Sequence, residues 1–110
     1  MELDRQFLHI LAHMYLQQAK YKEALALFRF LRLHFSGDDL IVLSLVFCLF
    51  QSKRFEEALK VLDSLKTDNF TQELLCVYYF LKSKSLWELG NFQDSRLMLH
   101  NYLKYRKLEV

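Results

Sequence analysis

Lys53–Leu65, KRFEEALKVLDSL, restates a stretch met earlier in the chain, Ala19–Leu31, AKYKEALALFRFL. Tyr21 falls on Phe55, Glu23 on Glu57, Ala24 on Ala58, Leu25 on Leu59 and Leu31 on Leu65, at a spacing of 34 residues. Gly90–Leu103, GNFQDSRLMLHNYL, continues the series with Phe92, Ser95 and Leu99, but 37 residues further on, so three extra residues belong to the loop around Thr67–Gln72. Each copy follows an apolar stretch and begins with a short turn: Gln18-Ala19-Lys20, Ser52-Lys53-Arg54 and Leu89-Gly90-Asn91. Self-similarity at such a period is the signature of a repeat architecture. The unit is a first helix, a tight turn and a second helix. The pattern predicts helices near 3–18, 21–35, 39–51, 55–66, 71–88 and 92–107, with Gly37 closing the second and Asp38 or Asp39 capping the third.

Between the first two copies lies Asp38–Gln51, DDLIVLSLVFCLFQ, where all but one of the residues from Leu40 to Phe50 are apolar. On a helix, Val42, Leu45 and Leu49 form one face, and Leu40, Leu43, Phe47 and Phe50 the opposite one. A helix apolar all round is covered on all sides or crosses a membrane, and crossing takes roughly 20 apolar residues. A buried strand would give the same local pattern; length and the repeat favour a helix. This helix is expected to need cover on two faces.

The rest of the composition agrees. Of the 110 residues, 53% are hydrophobic and 15% aromatic, with no proline and two glycines. That suits one domain, 1–110, of helices joined by short turns. A formal charge of +2 gives no electrostatic case for nucleic acid or an anionic membrane. Cys48 and Cys76 sit in apolar helical runs and read as buried reduced thiols. MELDRQFLHI lacks the basic and apolar regions of a secretory signal. The Asn69-Phe70-Thr71 sequon is then a chance match, and a cytoplasmic location is expected.

These residues resemble the tetratricopeptide repeat, whose unit pairs a W-x2-L-G-x2-Y half with an A-x3-F half. Leu8, Leu11, Ala12, Tyr15, Tyr21, Ala24 and Phe28 match it in the first repeat. The second keeps Phe55 and Ala58 but has Val46 at the small position of its first helix. The third keeps Gly90 and Phe92 and uses Ser83 and Ser95 as small residues. The resemblance implies an all-α fold of three helix pairs, about 5–38, 39–72 and 76–109, in a short right-handed superhelix with a concave groove lined by the first helices. Carried over by position, the partner-binding residues are Ile10, His13 and Leu16; Leu40, Leu43, Phe47 and Phe50; and Val77, Phe80, Lys84 and Trp87. The first repeat's share also holds Gln6, His9 and Gln17 and is polar, while leucines and aromatics fill the rest. An amphipathic helix is the occupant such a groove suits. On the last helix, Leu97, Leu99, Tyr102, Leu103 and Tyr105 are expected to lack full cover.

No catalytic constellation accompanies the repeats. His9 and His13 stand one helical turn apart without a third ligand, so no metal is expected. Glycine-rich phosphate loops and a strained nucleophile turn are absent, no cofactor is called for, and the paired acids sit at expected helix starts. The basic clamp of tetratricopeptide co-chaperones is missing too, since His9, His13, Ser44, Val77 and Leu81 stand at its positions. By size, three degenerate repeats and an apolar groove, the chain is similar to the small tetratricopeptide chaperones of the type III secretion needle subunit. That resemblance implies capture of the needle protein's amphipathic C-terminal helix before it polymerises. It also implies a second, small helical co-chaperone near the first repeats. A binding scaffold of another pathway is the alternative.

Overall fold

The computed structural model describes residues 5–35 and 37–107, and within them the chain is six helices. They are α1 (Arg5–Gln17), α2 (Tyr21–His34), α3 (Asp39–Gln51), α4 (Phe55–Asp63), α5 (Gln72–Glu88) and α6 (Phe92–Lys107). No strand occurs among the described residues. The expected start of the first helix at residue 3 and the end of the last repeat at 109 lie outside them. Each helix packs on the next, and α3 also packs on α5, the first helix of the following pair. The body is elongated, 46 × 28 × 24 Å.

Three turns of one design make the pairs. Lys20 N–H donates to Tyr15 O (2.9 Å) and Ala19 N–H to Leu16 O (3.0 Å); Arg54 and Lys53 repeat this on Leu49 (2.8 Å) and Phe50 (3.0 Å), and Asn91 and Gly90 on Leu86 (2.9 Å) and Trp87 (3.0 Å). These crossed bonds are a Schellman stop, which needs one residue at positive φ. Ala19 (58°), Lys53 (63°) and Gly90 (85°) supply it, so only the third turn has the residue that adopts this conformation without strain.

Packing within each pair follows the small residues. Ala12 and Ala24 are fully buried, as are Val46 and Ala58. In the third pair Ser83 Oγ donates to Ser95 O (3.0 Å) and Ser95 Oγ to Ser83 O (2.7 Å), so two hydroxyls lock α5 to α6 where alanines would let them touch. Asp38 caps α3, accepting from Leu40 N–H (3.0 Å) and Ile41 N–H (3.3 Å), and its other oxygen takes Arg5 Nη1 at 2.8 Å.

The two-faced expectation for α3 is corrected here. Leu45 (2%) and Leu49 (1%) are buried as foreseen, but so is Leu43 (2%) on the face assigned to a partner. Leu16 likewise belongs to the core rather than to an open groove. The reason is that α2, α4 and α5 all pack against α3, so the chain covers most of that helix itself. Helix α4 also stops at Asp63 rather than near 66. Ser64 Oγ turns back to Val61 O at 2.6 Å, and the connecting loop folds Phe70 inward against Tyr78.

Candidate functional site: an apolar trough on the third repeat

Helix α5 carries apolar residues on several sides, and its outer stripe is not fully covered. Val77 and Phe80 sit one turn apart on α5, facing Phe47 of α3 and Tyr102 of α6, whose ring lies 5.5 Å from Phe80. Cys76 and Leu81, both buried, form the floor, and Glu73 stands at the mouth. The open hollow they line is about 540 Å³, within the range of sites that hold a ligand or a partner's side chains. Val77 keeps 44% of its surface in water, Phe80 39% and Phe47 37%. Beyond the cavity, Trp87 continues the stripe, exposed and edge-on to Phe92 at 4.5 Å.

The eleven residues expected to bind a partner therefore divide. Phe47, Val77 and Phe80 come together in the trough, with Lys84 and Trp87 exposed further along the same α5 stripe. Leu40 is exposed but lines a different hollow, of about 470 Å³, beside Arg5, Asp38 and Leu74. Phe50 is half-buried against Phe55, Ile10 is exposed on α1, and Leu16 and Leu43 are core. Tyr102 was not expected to line this site, because family spacing assigns the groove to first helices and Tyr102 is on a second one. Its signal was the expectation that α6 lacks full cover. Leu97, Leu99 and Leu103 are indeed exposed, while Tyr102 and Tyr105 are half-buried.

The first repeat's polar share is a bonded seam. His9 Nε2 lies 3.1 Å from Ser44 Oγ and 3.2 Å from His13 Nε2, and both rings stand edge-on to Phe28. Burial holds both imidazoles below the ordinary histidine value; for His9 the adjacent His13 adds to this, and Asp38 partly opposes it. Neutral imidazoles can share one proton between facing nitrogens, so the pair is bonded within α1, and the His9–Ser44 contact ties it to α3. Among the described residues no group of three or more His, Cys, Asp or Glu is placed to hold a metal ion.

Other titratable groups serve the scaffold. Burial alone would lower Lys82, but its hydrogen bonds to Asp63 (3.0 Å) and Tyr78 (3.3 Å) outweigh this and raise it, tying α5 to the end of α4. Burial pushes the Cys48 thiol up, away from reactivity. Cys76 is likewise buried and forms no disulfide.

The tetratricopeptide repeat profile matches residues 15–74. That is more than half of the chain, and the chain belongs to the tetratricopeptide repeat family. Such repeats are protein-interaction modules, and this one presents an apolar hollow between α3, α5 and α6. A comparison with curated proteins gives no significant match. No helix among the described residues is long and apolar enough to cross a membrane.

Proposed function

We propose that this protein binds an amphipathic helix of a protein partner in the trough formed by Phe47, Val77, Phe80 and Tyr102, as a chaperone rather than as an enzyme. The observation that carries the reading is a cavity with an apolar floor and walls that stay partly in water in the free chain. Covering such side chains gains free energy in proportion to the area removed from water, and a helix laid along α5 covers them in one piece.

The most specific form of this reading is a cytoplasmic chaperone of the type III secretion needle subunit, which keeps that subunit from polymerising. Three short repeats with an apolar trough support it. So does α1, where Phe7 (60%), Ile10 (61%) and Met14 (49%) form a second exposed stripe at helical spacing, suited to a small helical co-chaperone on the first repeats. The test is direct: a purified needle subunit is mixed with this chain and followed by sedimentation. The reading expects a soluble complex of defined stoichiometry and no fibres. Fibre growth at the same rate with and without the chain sinks it, and leaves a binding scaffold of another pathway.

A further inference from the structure

Along α5, Glu73, Val77, Phe80, Lys84 and Trp87 follow one another at alternating steps of four and three, the spacing that keeps side chains on one helical stripe. Three of the five are apolar and the other two carry opposite charge. Glu73 stands at the mouth of the trough, and Lys84 lies one turn past Phe80, before Trp87. Both are exposed, and neither enters an ion pair or a side-chain hydrogen bond among the described residues. Glu73, in the first turn of α5, suits that helix's own dipole. Lys84 has no such local reason, since it sits inside the helix and interrupts an apolar stripe. Eleven residues separate the two charges, or about 16 Å along the axis.

We propose that Glu73 and Lys84 select the partner's charge pattern and fix the direction of the bound helix. The helix runs antiparallel to α5, with an acidic residue near its N-terminus against Lys84 and a basic residue near its C-terminus against Glu73. The inference rests on the trough being the binding site. Acids in the first turn and bases in the last stabilise any helix through its dipole. The residues that hold the partner helical on its own therefore also point it this way along α5. The opposite direction sets acid on Glu73 and base on Lys84, two like-charge encounters. The partner chemistry follows: an amphipathic helix whose apolar face is bracketed by one acid and one base about three turns apart.

The chain's only tryptophan, Trp87, is on the stripe and reports on occupancy. The probes are two end-capped peptides of roughly 18 residues, long enough to span the charges. They share one apolar face; one carries Glu near the N-terminus and Lys near the C-terminus, and the other the reverse. Titrations follow Trp87 emission in the intact chain and in the double variant Glu73→Lys/Lys84→Glu, with folding checked by circular dichroism. Two rim ion pairs predict that the first peptide lies antiparallel to α5 and the second parallel, each direction favoured about three- to tenfold over its opposite at low salt, and that both directions invert in the double variant. Comparing both peptides on both chains cancels differences in the peptides' own helicity. A nitroxide on the N-terminus of the first peptide should quench Trp87 more than one on its C-terminus. A direction unchanged by the charge swap, or stronger quenching from the C-terminus, overturns the assigned direction while leaving the trough as the site. If neither peptide moves Trp87 emission, the trough reading falls and the direction with it.

Discussion

Replacing Val77 by Glu separates the surface that binds from the interior that folds. Val77 keeps 44% of its surface in water in the free chain. With a fully buried valine worth about 1.5 kcal/mol at the low end, the part already hidden contributes roughly 1 kcal/mol or less. Glutamate is the better helix former by a few tenths of a kcal/mol, and its carboxylate reaches water from the trough's open side. The melting temperature should therefore fall by only about 5 °C, taking ~4–8 °C per kcal/mol for a domain of this size. Leu45→Ala is the internal comparison. That side chain is 2% exposed, and emptying a sealed core site costs about 2–5 kcal/mol, a large share of the ~5–15 kcal/mol that holds a domain folded. Binding should respond in the opposite order. A partner helix over residue 77 would strip water from the new carboxylate with nothing to pair it, a cost of about 2–3 kcal/mol, or roughly 30- to 150-fold in Kd. Circular dichroism melts and Trp87 titrations with the capped peptide measure both quantities on the same samples. If Val77→Glu unfolds the chain as readily as Leu45→Ala, or binds the peptide as tightly as the parent, the division between trough and core is wrong.

Other outcomes follow from the scaffold. Lys53→Gly should raise stability by about 0.5–1 kcal/mol, because glycine removes the left-handed strain at φ 63° and returns only part of it as unfolded-state entropy; Gly90→Ala, at φ 85°, should lower it by a similar amount, both read from urea midpoints. Ser85→Ala should stabilise by about 1 kcal/mol, since Ser85 Oγ is buried with no hydrogen-bond partner. Stability should be full above the ordinary histidine value of 6.5 and decline as the pH falls below it, because the folded state holds His9 and His13 at lowered values and so binds fewer protons than the unfolded chain. Arg5 and Asp38 also act on His9, so the measurement compares the parent with His9→Gln/His13→Gln, whose melting temperature should vary less between pH 7 and 5.

Much of this architecture is written in single residues. The spacing from Ala24 to Ala58 to Ser95 marks where three helix pairs touch, and all three sites are buried. The turns were legible as turns, but not as one Schellman design, because Ala19 and Lys53 do not advertise positive φ as Gly90 does. Phe70 shows the limit from the other side. It falls in the extra loop residues, where local pattern reads an exposed connection, yet it is buried against Tyr78 and fills the space left by the early end of α4.

The candidate site was half legible for a related reason. Periodicity says which residues share a stripe, not how closely the neighbouring helix approaches. Leu43 and Phe47 are one turn apart on α3, yet Leu43 is sealed and Phe47 is 37% exposed. Helices α2, α4 and α5 all pack on α3, and which of the two residues they seal is set by that tertiary packing. Exposed apolar side chains gather in two places, the α1 stripe of Phe7, Ile10 and Met14 and the α5 stripe of Val77, Phe80 and Trp87, and are fewer along α3, where Leu40 and Phe47 remain. Tyr102 joins the trough because α6, with Leu97, Leu99 and Leu103 exposed, is only partly covered by α5. A partner that used the whole concave face would find Leu16 and Leu43 already sealed in the core. One that used the α5 stripe finds Phe47, Val77, Phe80 and Tyr102 already assembled, and needs no rearrangement of the chain.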